Sequence, residues 1–320
     1  MWIYRSLLAV VGGSCLVILS AALTRTAASV APATADVVPL ALEPLTVASA
    51  PSPQADADAE HCLEQAVEAF NGEHVKWLEM AIWQKVQLPG CTYEADGSYS
   101  LAPGQRFRLE MHTHVGAGDG TLLSVSDGRD LWQAERPGQG AWKNVTRVDL
   151  SEVFAIMNGP SGARLRDEFL QRPHFQGMAP LLRNLRSRLV WARSEVIHQA
   201  GSKCIRLVGV WSRQEARKLI ADEETWPIAL PRQCHVYLDA RSYWPLRLEW
   251  WGPSTADGAD RLLMQMEFRN PVFNRPLPSE TCARLFAFHP GNVEVEDETA
   301  SVTAEMSKRA RELAPQTTAR

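Results

Sequence analysis

Several segments of the chain alternate apolar with polar residues at a period of two. This pattern is typical of a β-strand with one dry and one wet face. In residues 106–115, Phe107, Leu109 and Met111 alternate with arginine, glutamate and histidine. The same alternation returns in residues 246–250 and 262–269. Because each such strand must bury its dry face, the sequence predicts a sheet with one apolar side.

Turn signals divide the first half of the chain into short strands. The predicted strands are residues 81–88, 93–101, 106–115 and 121–135. Pro-Gly pairs and a glycine-rich stretch separate them, and Asp127-Gly128 predicts a tight hairpin turn within the last segment. Strands that follow one another without intervening helices favour a single antiparallel sheet, curled around its dry face.

Helical patterns occur before the strands and again in the middle of the chain. Asp58 is predicted to cap a helix that runs to about residue 71. Further helices are predicted at residues 150–157, 162–170 and 178–189. Amphipathic helices between two sets of strands cannot lie in the sheet, so they cover a face or an end of it. The predicted fold is therefore α+β, a half-open curled antiparallel sheet (an incomplete β-barrel) covered by a lid of α-helices.

The N-terminus predicts export to the periplasm. An uncharged apolar run at residues 7–23 follows a short basic start. Its length lies between a signal-peptide core of about 7–15 residues and a membrane-spanning helix of roughly 20. A cleaved signal and an uncleaved inner-membrane anchor both fit residues 1–24.

Composition shifts mark the remaining boundaries. Residues 25–55 are rich in alanine and proline and predict a disordered linker. The predicted folded domain is residues 56–299. Residues 300–320 are predicted to be a flexible tail, with a short helix before it frays.

Charge and cysteine content restrict the class of protein. The formal net charge is −4, which argues against a nucleic-acid partner. Cys15 lies in the export segment and five further cysteines follow it. Their spacing leaves the disulfide pairing open, and the absence of a C-x-x-C pair leaves a zinc or redox motif unsupported.

Three segments, in order along the chain, resemble the outer-membrane lipoprotein carrier family (LolA/LolB-like). They are Tyr-Ser-Leu-Ala-Pro-Gly-Gln-Arg-Phe-Arg-Leu-Glu at 99–110, Leu-Leu-Ser-Val-Ser-Asp-Gly-Arg-Asp-Leu-Trp at 122–132, and Phe-Ala-Phe-His-Pro-Gly-Asn-Val-Glu-Val-Glu-Asp at 286–297. The resemblance covers about residues 60–299. It implies an unclosed antiparallel barrel with a helical lid, whose apolar cavity takes lipoprotein acyl chains.

Two features depart from that family. A basic residue typically precedes the turn proline and helps to hold the lid shut, whereas this chain has Ala102. Soluble carriers also lack a long stalk. The resemblance therefore predicts the fold more firmly than a shuttle role.

The chain carries no recognisable catalytic or cofactor motif. Gly159-Pro-Ser-Gly162 does not have the G-x-S-x-G spacing, and the glycines at 116–120 precede a strand rather than a helix. His112 and His114 share one strand face and could ligate a metal, but no third ligand lies near them in sequence. The sequence predicts a protein that is not an enzyme and has neither cofactor nor metal.

The candidate lipid-binding residues are those of the dry strand faces. They are Phe107, Leu109, Met111, Val125, Trp132, Leu248, Trp250, Met264, Met266 and Phe268. A solidly packed core is the alternative interpretation of the same residues, although methionine and tryptophan also suit adaptable apolar pockets.

The predicted function is periplasmic binding of lipid or lipoprotein acyl chains, as a carrier or holder. An inner-membrane protein is a further predicted partner, because the stalk favours tethering. The alternative is an envelope-tethered sensor or interaction module that uses the same barrel without transport.

Overall fold

The structure is a computed structural model that describes residues 54–70, 74–88, 91–115, 118–159, 165, 178–199, 202–219, 230–254 and 259–313. The predicted export segment, nearly all of the predicted linker and the predicted helix at 162–170, except Leu165, lie outside the described residues. Within the described residues, no helix is long and apolar enough to cross a membrane.

Six helices and twelve strands are described. The helices are α1 Ala57–Glu68, α2 Leu150–Met157, α3 Met178–Arg188, α4 Arg213–Leu219, α5 Ser279–Phe286 and α6 Thr299–Leu313. The strands are β1 Leu78–Leu88, β2 Cys91–Ala102, β3 Arg106–Val115, β4 Gly118–Asp127, β5 Asp130–Pro137, β6 Lys143–Asp149, β7 Leu189–Gln199, β8 Ser202–Trp211, β9 Gln233–Asp239, β10 Pro245–Pro253, β11 Asp260–Phe273 and β12 Val295–Asp297.

The strands are hydrogen-bonded in the order β12-β6-β5-β4-β3-β2-β1-β11-β10-β9-β8-β7. Successive pairs such as β3–β4 and β8–β9 are antiparallel, whereas the short β12 runs parallel to β6. The two strands that end this order, β12 and β7, leave the sheet open. The predicted α+β class with an open, mostly antiparallel sheet is confirmed.

The chain divides into two compact units. Unit 1 contains residues 1–66, 86–92 and 184–266, and unit 2 contains residues 67–85, 93–183 and 267–320. The sequence predicted one folded domain over residues 56–299. The two units interleave along the chain, and the boundaries between them fall within α1, β1, β2, α3 and β11.

In unit 1, helix α1 begins at Ala57, two residues before the start predicted from an Asp58 cap. The capping carboxylate belongs to Asp56, not Asp58, and Asp56 Oδ1 accepts hydrogen bonds from the amides of Asp58 (2.9 Å) and Ala59 (3.4 Å). Its other oxygen accepts from the amide of Ser194, at 2.8 Å. Burial acts to raise the pKa of Asp56, but these hydrogen bonds outweigh it and lower the pKa. One side chain therefore starts α1 and ties it to β7.

In unit 2, the predicted Asp127-Gly128 hairpin is confirmed. Asp127 Oδ1 accepts from the amides of Arg129 (2.8 Å) and Asp130 (2.9 Å). Gly128 has a φ of 96°, and a methyl group there would overlap the carbonyl oxygen of Gly104. Only glycine fits that backbone without strain.

The predicted tail contains a helix of 15 residues, α6, which continues to Leu313. Met306 of α6 is fully buried, and α6 packs along α2. The predicted bounds of α2, residues 150–157, match the structure, and Asp149 caps it by accepting from the amide of Ser151 at 2.8 Å.

The thiols of Cys62 and Cys282 are free. Burial raises the pKa of the Cys204 thiol, which keeps it protonated and unreactive.

Candidate functional site

The strand register of unit 2 defines two faces of its sheet. Residues directly opposite each other on antiparallel strands point their side chains to the same side. Phe107, Leu109 and Met111 of β3 lie opposite Ser126, Ser124 and Leu122 of β4. We call this side the Phe107 face, and the side that carries Arg108, Glu110 and His112 the Arg108 face.

The Phe107 face extends over five strands, β2 to β6. Tyr99 and Leu101 of β2 and Leu131 of β5 belong to it by register. Phe107, Leu109 and Met111 are all at most 7% exposed, whereas Arg108, Glu110 and His112 are only partly buried. The alternation predicted for this strand is confirmed. Burial also raises the pKa of the Tyr99 phenol, so that hydroxyl stays neutral at physiological pH.

Met111 lies directly over Gly97, its cross-strand partner. A methyl group at Gly97 would sit 2.7 Å from the Met111 sulfur and would overlap the carbonyl oxygen of Glu110. The glycine therefore makes room for a long, flexible side chain on the Phe107 face.

The Arg108 face is covered by helix α5. Arg108 Nη1 donates to the carbonyl of Leu285 at 3.5 Å, and Arg106 Nη1 approaches the Cys282 sulfur at 3.6 Å. Beside them Trp77, Ala102 and Phe286 form a buried apolar cluster. This face is thus occupied by the protein's own C-terminal part.

The register separates two predicted lining residues from the rest. Val125 lies opposite Arg108, and Trp132 lies opposite Val125, so both belong to the Arg108 face. The prediction that they share a dry face with Phe107 is wrong. Val125 is fully buried, and Trp132 packs against Phe288 with ring centroids 5.7 Å apart.

Residues of the second and third family-like segments contact one another. Phe288 also packs against Trp142, at 5.6 Å, and so lies against two tryptophans. Further along, Arg147 pairs with Asp130 at 2.7 Å and with Asp297 of β12 at 3.0 Å. Hydrogen bonds from Thr299, followed by the charge of Arg147, lower the pKa of Asp297 and keep it charged. These residues hold the closing segment against the Arg108 face of the hairpin.

Two polar side chains on the Phe107 face were not among the predicted site residues. Ser124 and Gln133 lie opposite each other on β4 and β5. Ser124 Oγ and Gln133 Nε2 are buried, and neither atom has a hydrogen-bond partner among the described residues. The available signal was a serine and a glutamine, each two residues after a leucine of the same strand, Leu122 and Leu131.

In unit 1, the predicted lining residues of β10 are buried. Leu248 lies opposite Val236, and Trp250 lies opposite Cys234. Trp250 is stacked on Trp211 at 5.7 Å with an interplanar angle of 15°. The packing partner of Trp250 is therefore another side chain of the same unit.

The predicted lining residues of β11 are also buried. Met264, Met266 and Phe268 are each at most 7% exposed, and the intervening residues are more exposed. Burial of this kind is common to a packed core and to a pocket wall, so their ligand-binding role stays a prediction.

The alternation in residues 246–250 predicted that Glu249 of unit 1 lies on the solvent-facing side of its strand, whereas the structure buries it. Glu249 is 5% exposed. Its Oε2 accepts from the Tyr237 hydroxyl (2.8 Å) and from Trp251 Nε1 (3.0 Å), and Arg247 Nε lies 3.0 Å from Oε1. Burial acts to raise the pKa of Glu249, but the nearby His235 ring, the hydrogen bond from Tyr237 and the charge of Arg247 outweigh it and lower the pKa. Every partner comes from β9 or β10, so the cluster is structural.

The two strand histidines do not assemble a metal centre. His114 lies between Asp119 (3.0 Å) and Asp96 (3.2 Å), and His112 contacts Thr121 at 3.3 Å. Over the described ranges, no group of three or more histidine, cysteine, aspartate or glutamate side chains could hold a metal ion.

No protein-family model and no curated protein matches the chain. Its structure is similar to a chain of the MucA/MucB complex of Pseudomonas aeruginosa, with 14% identity over 70% of this chain and a TM-score of 0.36. The match spans only 60% of the length of that chain.

Two further solved structures match over almost their whole length. LprF from Mycobacterium bovis is 9% identical, with 70% of this chain and 97% of that chain covered and a TM-score of 0.33. A LolA superfamily protein from Nitrosomonas europaea is 11% identical, with 72% and 97% covered and a TM-score of 0.28. The latter is of the type that the three sequence segments resemble.

Proposed function

We propose that the protein binds acyl chains of lipids or lipoproteins on the Phe107 face of unit 2, as a periplasmic carrier or holder without enzymatic activity. The observation that supports this is the contrast between the two faces of one sheet. Helix α5 and the closing segment occupy the Arg108 face. The Phe107 face presents Phe107, Leu109 and Met111 beside polar groups that no described residue satisfies.

The chemistry of the Phe107 face suits hydrocarbon. Methionine and leucine side chains adapt to a flexible chain without directional contacts. Each methylene of a ligand that leaves water contributes about 0.8 kcal/mol. A chain of about twelve methylenes would contribute roughly 10 kcal/mol before the cost of association.

The set of lining residues in this proposal is narrower than the predicted one. Val125, Trp132 and Trp250 are left out because protein side chains or α5 already pack on their side. Leu248, Met264 and Met266 of unit 1, and Phe268 of unit 2, remain candidate lipid-contacting residues, each considered within its own unit.

The methionines allow a direct test in the full chain. Methionine methyl groups labelled with ¹³C would be followed by NMR while dodecanoic acid is added, with signals assigned through single Met→Leu variants. We expect the Met111 signal to shift and to saturate. Met306 of α6 is equally buried and is not among the proposed lining residues, so its signal is the internal control.

A shift at Met306 equal to that at Met111, or no saturable shift at all, would contradict the proposal. A second measurement is the lipid that copurifies with the full chain, identified by mass spectrometry after extraction. We expect acyl lipids at a fixed molar ratio to protein.

The tethered sensor or interaction module stays the alternative. Its motivation lies in the predicted export segment and linker, outside the described residues. Recovery of an inner-membrane protein with the full chain, together with no acyl binding, would favour it over the carrier.

A further inference from the structure

We infer that Ser124 and Gln133 together bind the carbonyl oxygen of the acyl ligand, and so set how deeply its chain lies on the Phe107 face. The inference rests on the proposed function and adds a polar anchor to it. It follows from two buried polar atoms that no described residue satisfies.

The two side chains are neighbours. Ser124 of β4 and Gln133 of β5 are directly opposed in the register, on the Phe107 face. Side chains in such positions have Cβ atoms about 4.5–5.5 Å apart. A single small acceptor can therefore reach both the Ser124 hydroxyl and the Gln133 amide.

Burial without a partner is unusual for groups of this kind. Ser124 is 5% exposed. Its Oγ and the Gln133 Nε2 lack hydrogen-bond partners among the described residues. Since native proteins satisfy the great majority of buried polar atoms, an unsatisfied pair at one place points to a group that arrives from outside.

The surroundings restrict the chemistry of that group. Ser124 lies opposite Leu109, and Leu122 and Leu131 lie on the same face. The neighbouring Ser126 differs, because its Oγ already accepts from the amide of Gly128 at 3.1 Å.

A ligand that fits has hydrocarbon on both sides of one hydrogen-bond acceptor. Gln133 Nε2 can only donate, and the Ser124 hydroxyl can donate as well. Two donors facing one point match a carbonyl oxygen, as found in the ester of a glycerolipid or the amide of an N-acylated lipoprotein. A hydrocarbon would leave both donors unsatisfied, and a site built to hydrogen-bond its ligand rejects the analogue that lacks the group.

The experiment compares three ligands of similar length with the full chain. Methyl dodecanoate carries an ester, N-methyldodecanamide carries an amide, and tridecane carries neither. Each would displace a fluorescent fatty acid already bound to the protein. The affinity of tridecane, scaled by apolar surface, gives the affinity that each carbonyl ligand would have without a hydrogen bond. We expect the ester and the amide to bind about tenfold more tightly than that value, which is the effect of one or two buried hydrogen bonds.

Variants assign that preference to the two side chains. Ser124→Ala and Gln133→Met keep the approximate volume and remove the donors. Both should reduce the preference for the carbonyl ligands about tenfold while tridecane binds as before. Ser126→Ala is the matched control, since it removes a serine from the same strand and face whose hydroxyl already has a partner, and it should leave the preference unchanged.

A spectroscopic measurement reports on the hydrogen bond itself. The carbonyl stretching band of bound methyl dodecanoate should move to lower wavenumber in the native protein. The band should return towards its position in hydrocarbon solvent in the Ser124→Ala, Gln133→Met double variant.

The outcomes separate this inference from the proposed function. If native protein binds tridecane and methyl dodecanoate according to apolar surface alone, with no shift of the carbonyl band, the anchor is absent and the acyl site stands. If neither the fluorescent fatty acid nor any of the three ligands binds the protein, the acyl site itself is contradicted. A difference between ester and amide would identify the source of the carbonyl.

Discussion

Two buried polar groups of this protein, one in each unit, differ in their hydrogen-bond partners. Glu249 in unit 1 is surrounded by Tyr237, Trp251 and Arg247, and its carboxylate is fully engaged. Ser124 in unit 2 is equally buried, and its hydroxyl has no partner among the described residues. Burial alone therefore does not distinguish a structural polar group from a binding group, whereas the state of its hydrogen bonds does.

The largest effect is expected at the engaged carboxylate. Glu249→Ala leaves the Arg247 guanidinium, the Tyr237 hydroxyl and the Trp251 indole without their acceptor. Loss of one partner from a buried charge pair costs about 3–5 kcal/mol, and urea unfolding monitored by tryptophan fluorescence would measure it. Glu267→Ala is the control, because Glu267 pairs with the half-exposed Arg269 and exposed pairs contribute about 0–1 kcal/mol. Equal losses in the two variants would remove the distinction between the clusters.

The same carboxylate predicts a dependence on pH. The folded state lowers the pKa of Glu249 below its ordinary value of 4.5. A lowered folded pKa adds stability that is present above the unfolded pKa and is lost as the pH falls through the folded pKa. Stability should therefore decline below about pH 4.5, and Glu249→Gln should decline less steeply over the same range. Parallel curves for the two proteins would show that Glu249 is not stabilised by its partners.

Substitution of Ser124 and Gln133, in contrast, should leave the free energy of unfolding almost unchanged. Removal of a buried polar group that makes no hydrogen bond is close to neutral or stabilising. The double variant Ser124→Ala, Gln133→Met should therefore change the free energy of unfolding of the ligand-free protein by at most about 0.5 kcal/mol. Differential scanning calorimetry of delipidated protein would test this. A loss above about 1 kcal/mol would indicate that water or protein already satisfies the pair.

The smallest effect is expected where a polar group is partnered but exposed. His114 lies on the surface of unit 2 between Asp119 and Asp96, and hydrogen bonds to these carboxylates raise its pKa. Such a group stabilises the fold below the unfolded pKa of 6.5, and the contribution is lost as the pH rises through the folded pKa. An NMR titration of His114 should give a pKa above 6.5. The free energy of unfolding should fall slightly as the pH rises through this range, and His114→Gln should reduce that dependence. A pKa at or below the ordinary value would contradict the contact with the two aspartates.

What the sequence by itself determined is local. The Asp127-Gly128 turn, the strand at 106–115 and the bounds of α2 follow from φ preference, side-chain alternation and capping within a few residues. These signals depend on neighbours along the chain, which is why a single sequence reveals them. The buried residues of β3 and the α+β class were predicted on the same basis.

Only the tertiary structure decided which strand faces coincide. Alternation divides the side chains of one strand between two faces. The pairing register decides which residues of the next strand lie on the same face of the sheet. Val125 and Trp132 therefore belong to the Arg108 face, and residues 121–126 of β4 are buried on both faces, so burial along that strand does not separate them. Likewise, Glu249 is dry because residues of the neighbouring β9 surround it, and Ser124 and Gln133 meet because β4 and β5 pair in one register. Contacts between residues distant in sequence set burial and hydrogen bonding, and a period of two carries no information about them.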